Sequence, residues 1–215
     1  MRLVLLGVPG SGKGYQAKLL SERLKIPWIS TGDILREEVK KNSGLGKKVE
    51  DFMNKGDLVP DHIILEVMKG KIGAPECENG FILDGFPRTL DQAKDLEKLL
   101  EDMGEKLDNV VKLDVSEKTI IHRLSGRMIC SVCAAAYNIN TKPPKAKGKC
   151  DLCGGELTSR IDDQKNSIQN RIKIYNEKTK PIEEYYRQMG QLKVVDGEND
   201  PASVRDKILK EIQKR

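Results

Sequence analysis

The sequence has no apolar run approaching the ~18 residues of a membrane span, no internal repeat and no low-complexity tract. Histidine is scarce: only His62 and His122 are present, each isolated, and both read as structural or solvent-facing. Charge of one sign is scarce too. Against 33 acidic residues stand 38 basic ones, a net of +5 with a pI near 8.8. So mild a surplus suits a pocket for anionic small molecules as well as it suits nucleic acid. The apolar start Met1–Gly7 is too short for a signal peptide and lacks a small-residue cleavage site. It reads as a first buried strand, and the chain as cytosolic, where thiols stay reduced. The five cysteines then suggest a metal site plus one spare, Cys77, rather than a disulfide framework.

At 215 residues, 38% hydrophobic and 33% charged, the chain can build one sizeable domain with insertions or two small ones, and it is too apolar for disorder. Short apolar runs at Leu3–Leu6, Ile26–Ile29, Phe81–Leu83, Val110–Leu113 and Leu192–Val195 are candidate strands. They are mostly apolar on both faces, as in a parallel sheet covered on both sides. Amphipathic stretches lie between them. One carries Ile63, Ile64, Val67 and Met68 after a possible cap at Asp61, and one carries Leu90, Ala93, Leu96, Leu99, Leu100 and Met103 after Thr89. Another has Val204, Ile208, Leu209 and Ile212 behind Asp200-Pro201, a cap and a first-turn proline. This alternation predicts an α/β, doubly wound fold with a five-stranded parallel sheet. Two segments break it, residues 30–59 with two short helical patterns and 127–163 with four cysteines. Both read as insertions into a core of 1–29, 60–126 and 164–215. Trp28 reads as the end of a strand and as core.

The first strand runs into Gly7-Val8-Pro9-Gly10-Ser11-Gly12-Lys13-Gly14 and then a helical pattern with Ala17, Leu19, Leu20 and Leu24. Glycines let successive N–H groups curl around phosphate oxygens, and the helix N-terminus adds its positive end. Lys13 brings a mobile charge for the β- and γ-phosphates. G-x-x-x-x-G-K in a strand–loop–helix setting is the phosphate-loop pattern. The Ser or Thr that normally follows is absent: Gly14 and then Tyr15 stand there, and a phenol oxygen sits too far from its backbone to replace a short hydroxyl.

Cys130-x-x-Cys133 and Cys150-x-x-Cys153 are separated by sixteen residues. Paired knuckles at this distance predict a tetrahedral Zn²⁺ site, iron being the weaker option. Four thiolates leave no open position, so the metal is expected to be structural and to give cohesion to an insert with little core of its own.

The chain resembles the adenylate kinase family of nucleoside monophosphate kinases over essentially its whole length. The resemblance rests on Gly7–Gly14, Ser30-Thr31-Gly32-Asp33, Asp84-Gly85-Phe86-Pro87-Arg88, Arg123, Arg127, Arg160-Ile161-Asp162-Asp163 and Arg171. The 127–163 insert resembles the long, zinc-bearing lid of bacterial-type members. The family's loop usually continues Gly-Lys-Gly-Thr, so Gly14 is ordinary and Tyr15 departs from it. Ala134-Ala135-Ala136 also departs, where relatives carry glycine and hydroxyl residues near the adenine; Tyr137 is retained.

The resemblance implies ATP + AMP ⇌ 2 ADP with Mg²⁺. The ATP side would comprise Gly10, Ser11, Gly12, Lys13, Gly14, Tyr15, Arg123, Arg127, Tyr137 and Asn199. The AMP side would comprise Thr31, Arg36, the backbone of Asp57–Val59, Gly85, Arg88 and Gln92, with Arg160 and Arg171 reaching the transferred group as the lid closes. Asp33 and Asp84 would orient the waters around Mg²⁺, Asp33 having a helix cap and Asp84 a strand-end acceptor as alternatives. Catalysis would fall to Lys13, Arg88, Arg123, Arg127, Arg160 and Arg171. The acceptor phosphate oxygen is already anionic, so no catalytic histidine is needed, and the work is positioning and charge stabilisation. The partners implied are ATP, AMP and ADP, with no nucleic acid and no membrane, and the state a monomer. Gly126 and Gly154-Gly155 are candidate hinges. Three rivals remain: a kinase for another monophosphate, a nucleotide-binding protein disabled by Tyr15, and a nucleic-acid-binding zinc ribbon using Lys142, Lys145, Lys147 and Lys149.

Overall fold

In the computed structural model, which describes residues 1–214, strand β1 (Arg2–Leu6) turns Leu3 and Leu5 to one side and Val4 and Leu6 to the other, all buried. It lies at the centre of a sheet with β2 (Trp28–Ser30), β3 (Phe81–Asp84), β4 (Asn109–Asp114) and the last strand, β8 (Leu192–Asp196). The order is β2-β3-β1-β4-β8 and every pairing is parallel. On the Leu3–Leu5 side pack Ala17 and Leu20 of α1 (Lys13–Leu24) and Val204, Ile208 and Ile212 of α9 (Pro201–Gln213). The Val4–Leu6 side meets Ile64, Met68 and Ile72 of α4 (Asp61–Ile72), Ala93, Leu96 and Leu100 of α5 (Leu90–Asp102), and Ile182 and Tyr186 of α8 (Lys180–Gln188). Each Val, Leu, Ile or Met among them contributes about 1.5–3 kcal/mol of apolar burial, which makes this double layer the main source of stability.

Before α4 come α2 (Thr31–Lys40), capped by Ser30, and α3 (Gly44–Lys55), capped by Ser43. After α6 (Glu117–Ser125) the chain forms a small antiparallel sheet, ordered β6-β5-β7, from β5 (Arg127–Cys130), β6 (Ala136–Asn138) and β7 (Leu157–Thr158). Its core is Cys130, Tyr137, Cys150 and Leu157. Helix α7 (Lys165–Ile174) then joins α8 through a π-helical stretch, Tyr175–Thr179. Pro181 has no N–H to return to the carbonyl four residues back, so the helix widens there. No described helix is long and apolar enough to cross a membrane.

Several expectations shift. The second strand begins at Trp28 and not Ile26, because Pro27 has no N–H and pairs only through its carbonyl, which accepts from Ile82. Trp28 therefore opens that strand. Leu90 and Met103 lie exposed at the two ends of the α5 stripe. Asp61 is the first residue of α4 and not its cap; its carboxylate is taken by Thr89 and Gln92. Strand β4 is not apolar throughout. Lys112 points to the α8 side and meets Glu183 at 2.9 Å, and Glu183 also accepts from the Tyr175 hydroxyl at 2.8 Å.

Lys112→Met leaves the buried Glu183 carboxylate without its cation. The expected loss is about 2–3 kcal/mol in urea unfolding, below that of a fully enclosed pair because Lys112 keeps 20% exposure. Adding Glu183→Leu is expected to recover most of it.

Candidate active site

Between β1 and α1 the loop Gly7–Gly12 takes positive φ at Gly7, Gly10 and Gly12, and α1 begins at Lys13 with Gly12 as a left-handed cap that offers no side-chain acceptor. The first N–H groups of α1 are thus left for an outside partner. Ser11 Oγ is buried without one. Lys13 folds back over the loop, its Nζ donating to the carbonyls of Gly7 at 2.6 Å and Val8 at 3.1 Å. Loss of solvent lowers the Lys13 pKa to about 8, with Arg88, Arg171 and Arg127 adding to the effect and Asp84 opposing it. Burial pushes the Asp84 carboxyl up. Gly14 leaves little room: a Cβ there would lie 3.2 Å from Asp84 Oδ2, a tight contact, and 3.5 Å from the Trp28 ring.

Beyond the ends of β2 and β3, a narrow cavity of about 70 Å³ is lined by Thr31, Arg36, Val59, Gly85, Arg88 and Gln92, with Asp57, Asp162 and Arg171 also at its wall. A second, larger cavity shares Leu58 and Val59 with it, is lined also by Asp61 and Thr89, and has none of the predicted arginines in its wall. The Thr31 hydroxyl donates to the Asp84 carbonyl at 3.3 Å. Arg88 Nε donates to Gly85 O at 2.8 Å, its own N–H donates to Gln92 Oε1 at 2.7 Å, and its carbonyl accepts from the Thr179 hydroxyl at 3.0 Å. Burial brings the Arg88 pKa down to about 10. Asp57 is exposed and accepts from Asn170 Nδ2 at 2.8 Å.

The remaining cations converge on carboxylates. Arg127 holds Asp163 through Nε at 2.6 Å and through Nη2. Arg171 Nη1 reaches Asp162 Oδ2 at 3.0 Å and Asp163 Oδ1 at 3.1 Å. Arg36 pairs with Asp33 at 2.5 Å and faces Asp162 at 3.7 Å, and Arg160 faces Asp33 at 3.6 Å. Desolvation raises the pKa values of Asp33 and Asp162, but the guanidiniums outweigh it and hold both below the ordinary range. Arg160 Nε is buried without a partner among the described residues, and burial brings the Arg160 pKa down to about 10. Arg123 stands at the phosphate loop, donating to Ser11 O at 3.2 Å and Gly197 O at 2.9 Å.

Three predicted residues sit differently. Tyr137 is buried in the small sheet, and its hydroxyl meets Cys150 Sγ at 3.5 Å and accepts from Asp151 N at 2.8 Å. Asn199 is turned to Asp196 at 2.5 Å. Tyr15 is 39% exposed, and Lys142 of the insert lies 5.1 Å over its ring. Of the glycines named as hinges, Gly126 and Gly155 are closely packed, and Gly154 lies exposed with nothing within 4 Å of a Cβ built on it. Gly126 makes room for Asn138 and Asn140, which donate to the Arg123 and His122 carbonyls of α6, and Gly154-Gly155 shape the second knuckle by bonding with Cys150. Sequence reasoning gave no role to Asp162 and Asp163 as counter-ions. It also missed Asp61 and the Lys142–Tyr15 contact.

The four cysteine sulfurs lie within 4.8 Å of one another, with Cys130–Cys153 at 3.4 Å and Cys133–Cys150 at 3.5 Å. Tetrahedral zinc with bonds of ~2.3 Å asks for sulfurs roughly 3.8 Å apart, so the cluster fits the ion. The Cys133 N–H lowers the Cys130 thiol pKa and the Tyr137 hydroxyl lowers that of Cys150, both toward the thiolate a metal needs. Cys77 is buried elsewhere, its thiol donating to Lys71 O at 3.3 Å.

The adenylate kinase family model matches residues 5–191. The chain belongs to the adenylate kinase family. It is 48% identical over 98% of both chains to the adenylate kinase of Caldicellulosiruptor bescii. It is 49% identical to that of Methanocella arvoryzae over 100% of this chain and 99% of the relative, and 47% identical to that of Thermosipho melanesiensis over the full length of both.

Because the small sheet buries so few side chains of its own, metal removal is expected to unfold it. Chelation, or Cys150→Ser, is expected to lower the thermal midpoint by roughly 10 °C. Elemental analysis is expected to find one zinc per chain before chelation.

Proposed function

We propose that this adenylate kinase catalyses reversible transfer of a phosphoryl group from ATP to AMP, giving two ADP, with Mg²⁺ bound to the triphosphate. The observation that carries this reading is the convergence of Lys13, Arg36, Arg88, Arg127, Arg160 and Arg171 on one place. They outnumber the carboxylates among them, and Ser11 Oγ and Arg160 Nε stand unpaired beside them. Such a cluster is short of anions, and phosphates supply them. The loop N–H groups and Lys13 take the donor's β- and γ-phosphates, and Arg123 and Arg127 the donor chain. Thr31, Arg36, Arg88 and Gln92 take the acceptor, with its base along Val59 and Gly85. Arg160 and Arg171 stabilise the charge spread over the group in transfer.

Mg²⁺, when bound, neutralises charge on the donor's phosphates, and Asp33 and Asp84 are suited to hold its waters. Residues 30–59 and 127–163 act as two lids whose closure brings these cations together and excludes water. Four thiol ligands call for a reducing compartment, which supports a cytoplasmic location, and we assign a monomer as the working form.

A coupled assay of ADP formation with AMP, GMP, CMP and UMP as acceptors tests the reading. AMP is expected to be the preferred acceptor, and Arg88→Lys to lower kcat/KM by roughly 10²–10³. Equal turnover of another monophosphate would overturn the acceptor assignment.

Two more outcomes follow from the loop. A bound triphosphate favours charged Lys13 and raises its pKa above the free value of about 8. The complex then holds more protons than the free enzyme at pH 8–10, so ATP affinity is expected to fall as pH rises through that window and to be level below it. Calorimetry in buffers of different ionisation heat is expected to show proton uptake, lost in Lys13→Met. Tyr15→Phe keeps the ring under Lys142 and is expected to leave the KM for ATP within about twofold. Tyr15→Ala is expected to raise it about two- to fivefold, as the loss of an exposed cation–π contact implies.

A further inference from the structure

We infer that Asp61 is a positioning residue that locks the side-chain amide of Gln92 in one orientation and thereby makes the acceptor site choose a 6-amino over a 6-oxo purine. This rests on the reading of Gln92 as a contact of the acceptor base.

Gln92 is 2% exposed and lines the acceptor cavity. Its amide is held at both ends. Oε1 accepts from the Arg88 N–H at 2.7 Å, and Nε2 donates to Asp61 Oδ1 at 2.6 Å. The other carboxylate oxygen of Asp61 accepts from the Thr89 hydroxyl at 2.7 Å, and Thr89 in turn caps α5 by accepting from Gln92 N at 3.2 Å. Asp61 is itself fixed at the first turn of α4. Both ends of the amide are thus tied to the starts of two helices.

An amide carries two N–H donors and two acceptor lone pairs. The locks use one of each and leave one N–H and one lone pair. A 6-aminopurine offers the complementary pair, an acceptor at N1 and a donor at its amino group. A 6-oxopurine offers the reverse, a donor at N1 and an acceptor at O6, and would pair only if the amide turned over. The turned amide would set Nε2 against the Arg88 N–H and Oε1 against the Asp61 carboxylate. Donor would face donor, and acceptor would face an anionic acceptor, around an amide that is itself almost wholly shielded from solvent. The Arg88 N–H belongs to the backbone and cannot be removed. Asp61 is the half of the lock that substitution can test.

The test measures kcat and KM with AMP and with inosine monophosphate as acceptor, at saturating ATP, for the full chain and four variants: Asp61→Asn, Asp61→Ala, Gln92→Ala and Asp61→Ala/Gln92→Ala. Asparagine keeps the shape of aspartate but can donate as well as accept, so it tolerates the turned amide without emptying the site. Asp61→Asn and Asp61→Ala are expected to lower the AMP-over-inosine-monophosphate ratio of kcat/KM roughly tenfold, mainly through a lower KM for inosine monophosphate, and to leave the KM for ATP unchanged. On the Gln92→Ala background, Asp61→Ala is expected to change that ratio by less than about twofold, since Asp61 acts only through the amide. A purely structural tie between α4 and α5 would instead lower the thermal midpoint with the ratio intact, and that result would overturn the inference. Should Gln92→Ala lower the ratio while Asp61→Asn leaves it unchanged, the lock is wrong and the acceptor site stands. Should Gln92→Ala itself leave the ratio unchanged, the assignment of Gln92 to the acceptor base fails, and the inference falls with it.

Discussion

Bringing many fixed cations within reach of one phosphoryl group sets the terms for the rest of the molecule. Two like charges 4 Å apart repel by about 4 kcal/mol at the effective dielectric of a half-buried site. Loss of solvent adds the largest share of the penalty and each cationic neighbour adds to it, which is why the pKa values of Lys13, Arg88 and Arg160 are all lowered. The chain offsets this with carboxylates from separate segments: Asp33 at the start of α2, Asp84 at the end of β3, and Asp162 with Asp163 just before α7. Each lies where a phosphate would be welcome. They hold the guanidinium forks near their working positions, so less ordering remains for substrate to impose.

The sheet explains how the core half of this charge reaches one place. With β1 central and every neighbour parallel, the chain leaves β1, β2 and β3 on the same edge. Lys13, Thr31, Asp33, Gly85 and Arg88 follow those exits directly, at the carboxyl ends where open α/β sheets take ligands. The other half of the charge comes from outside the sheet. Arg127 opens the small antiparallel sheet and Arg160 follows its last strand, so their separation is set by the register of β5 with β7. So small a sheet cannot hold that register through packing alone. The cysteine cluster brings the turn after β5 against the turn before β7, so a metal held there would help determine where two arginines stand.

Features written in local pattern were legible in the sequence. The five strands follow from short apolar runs, and the phosphate loop and the knuckles from spacing that few other structures need. Most arginines could be assigned only as members of motifs, because an isolated arginine looks like any solvated charge. Pairings across long separations left no trace. Asp162 and Asp163 read as a polar pair in a loop. Lys112 interrupts an apolar run, and only the fold supplies Glu183, 71 positions later, to receive it. Asp61 looked like a helix cap because an acidic residue before an apolar stripe usually is one, and its partners come from another helix. Nor does the sequence show that the Tyr137 hydroxyl meets Cys150 and accepts from the Asp151 N–H of the second knuckle.

Tyr15 joins these levels. It lies in the first turn of α1, where backbone N–H groups have no partner within the helix, so a bulky side chain leaves the N–H cradle untouched. The side chain has turned outward beneath Lys142 of the cysteine-bearing insert. At an exposed site such a contact is worth about 0.5–1 kcal/mol, enough to shift a lid equilibrium a few-fold and too little to hold it shut. A short hydroxyl at this position would act on the phosphates from the loop. The aromatic ring faces the insert instead, and if that insert closes as a lid, the contact would favour closure without enforcing it, leaving ATP to complete it.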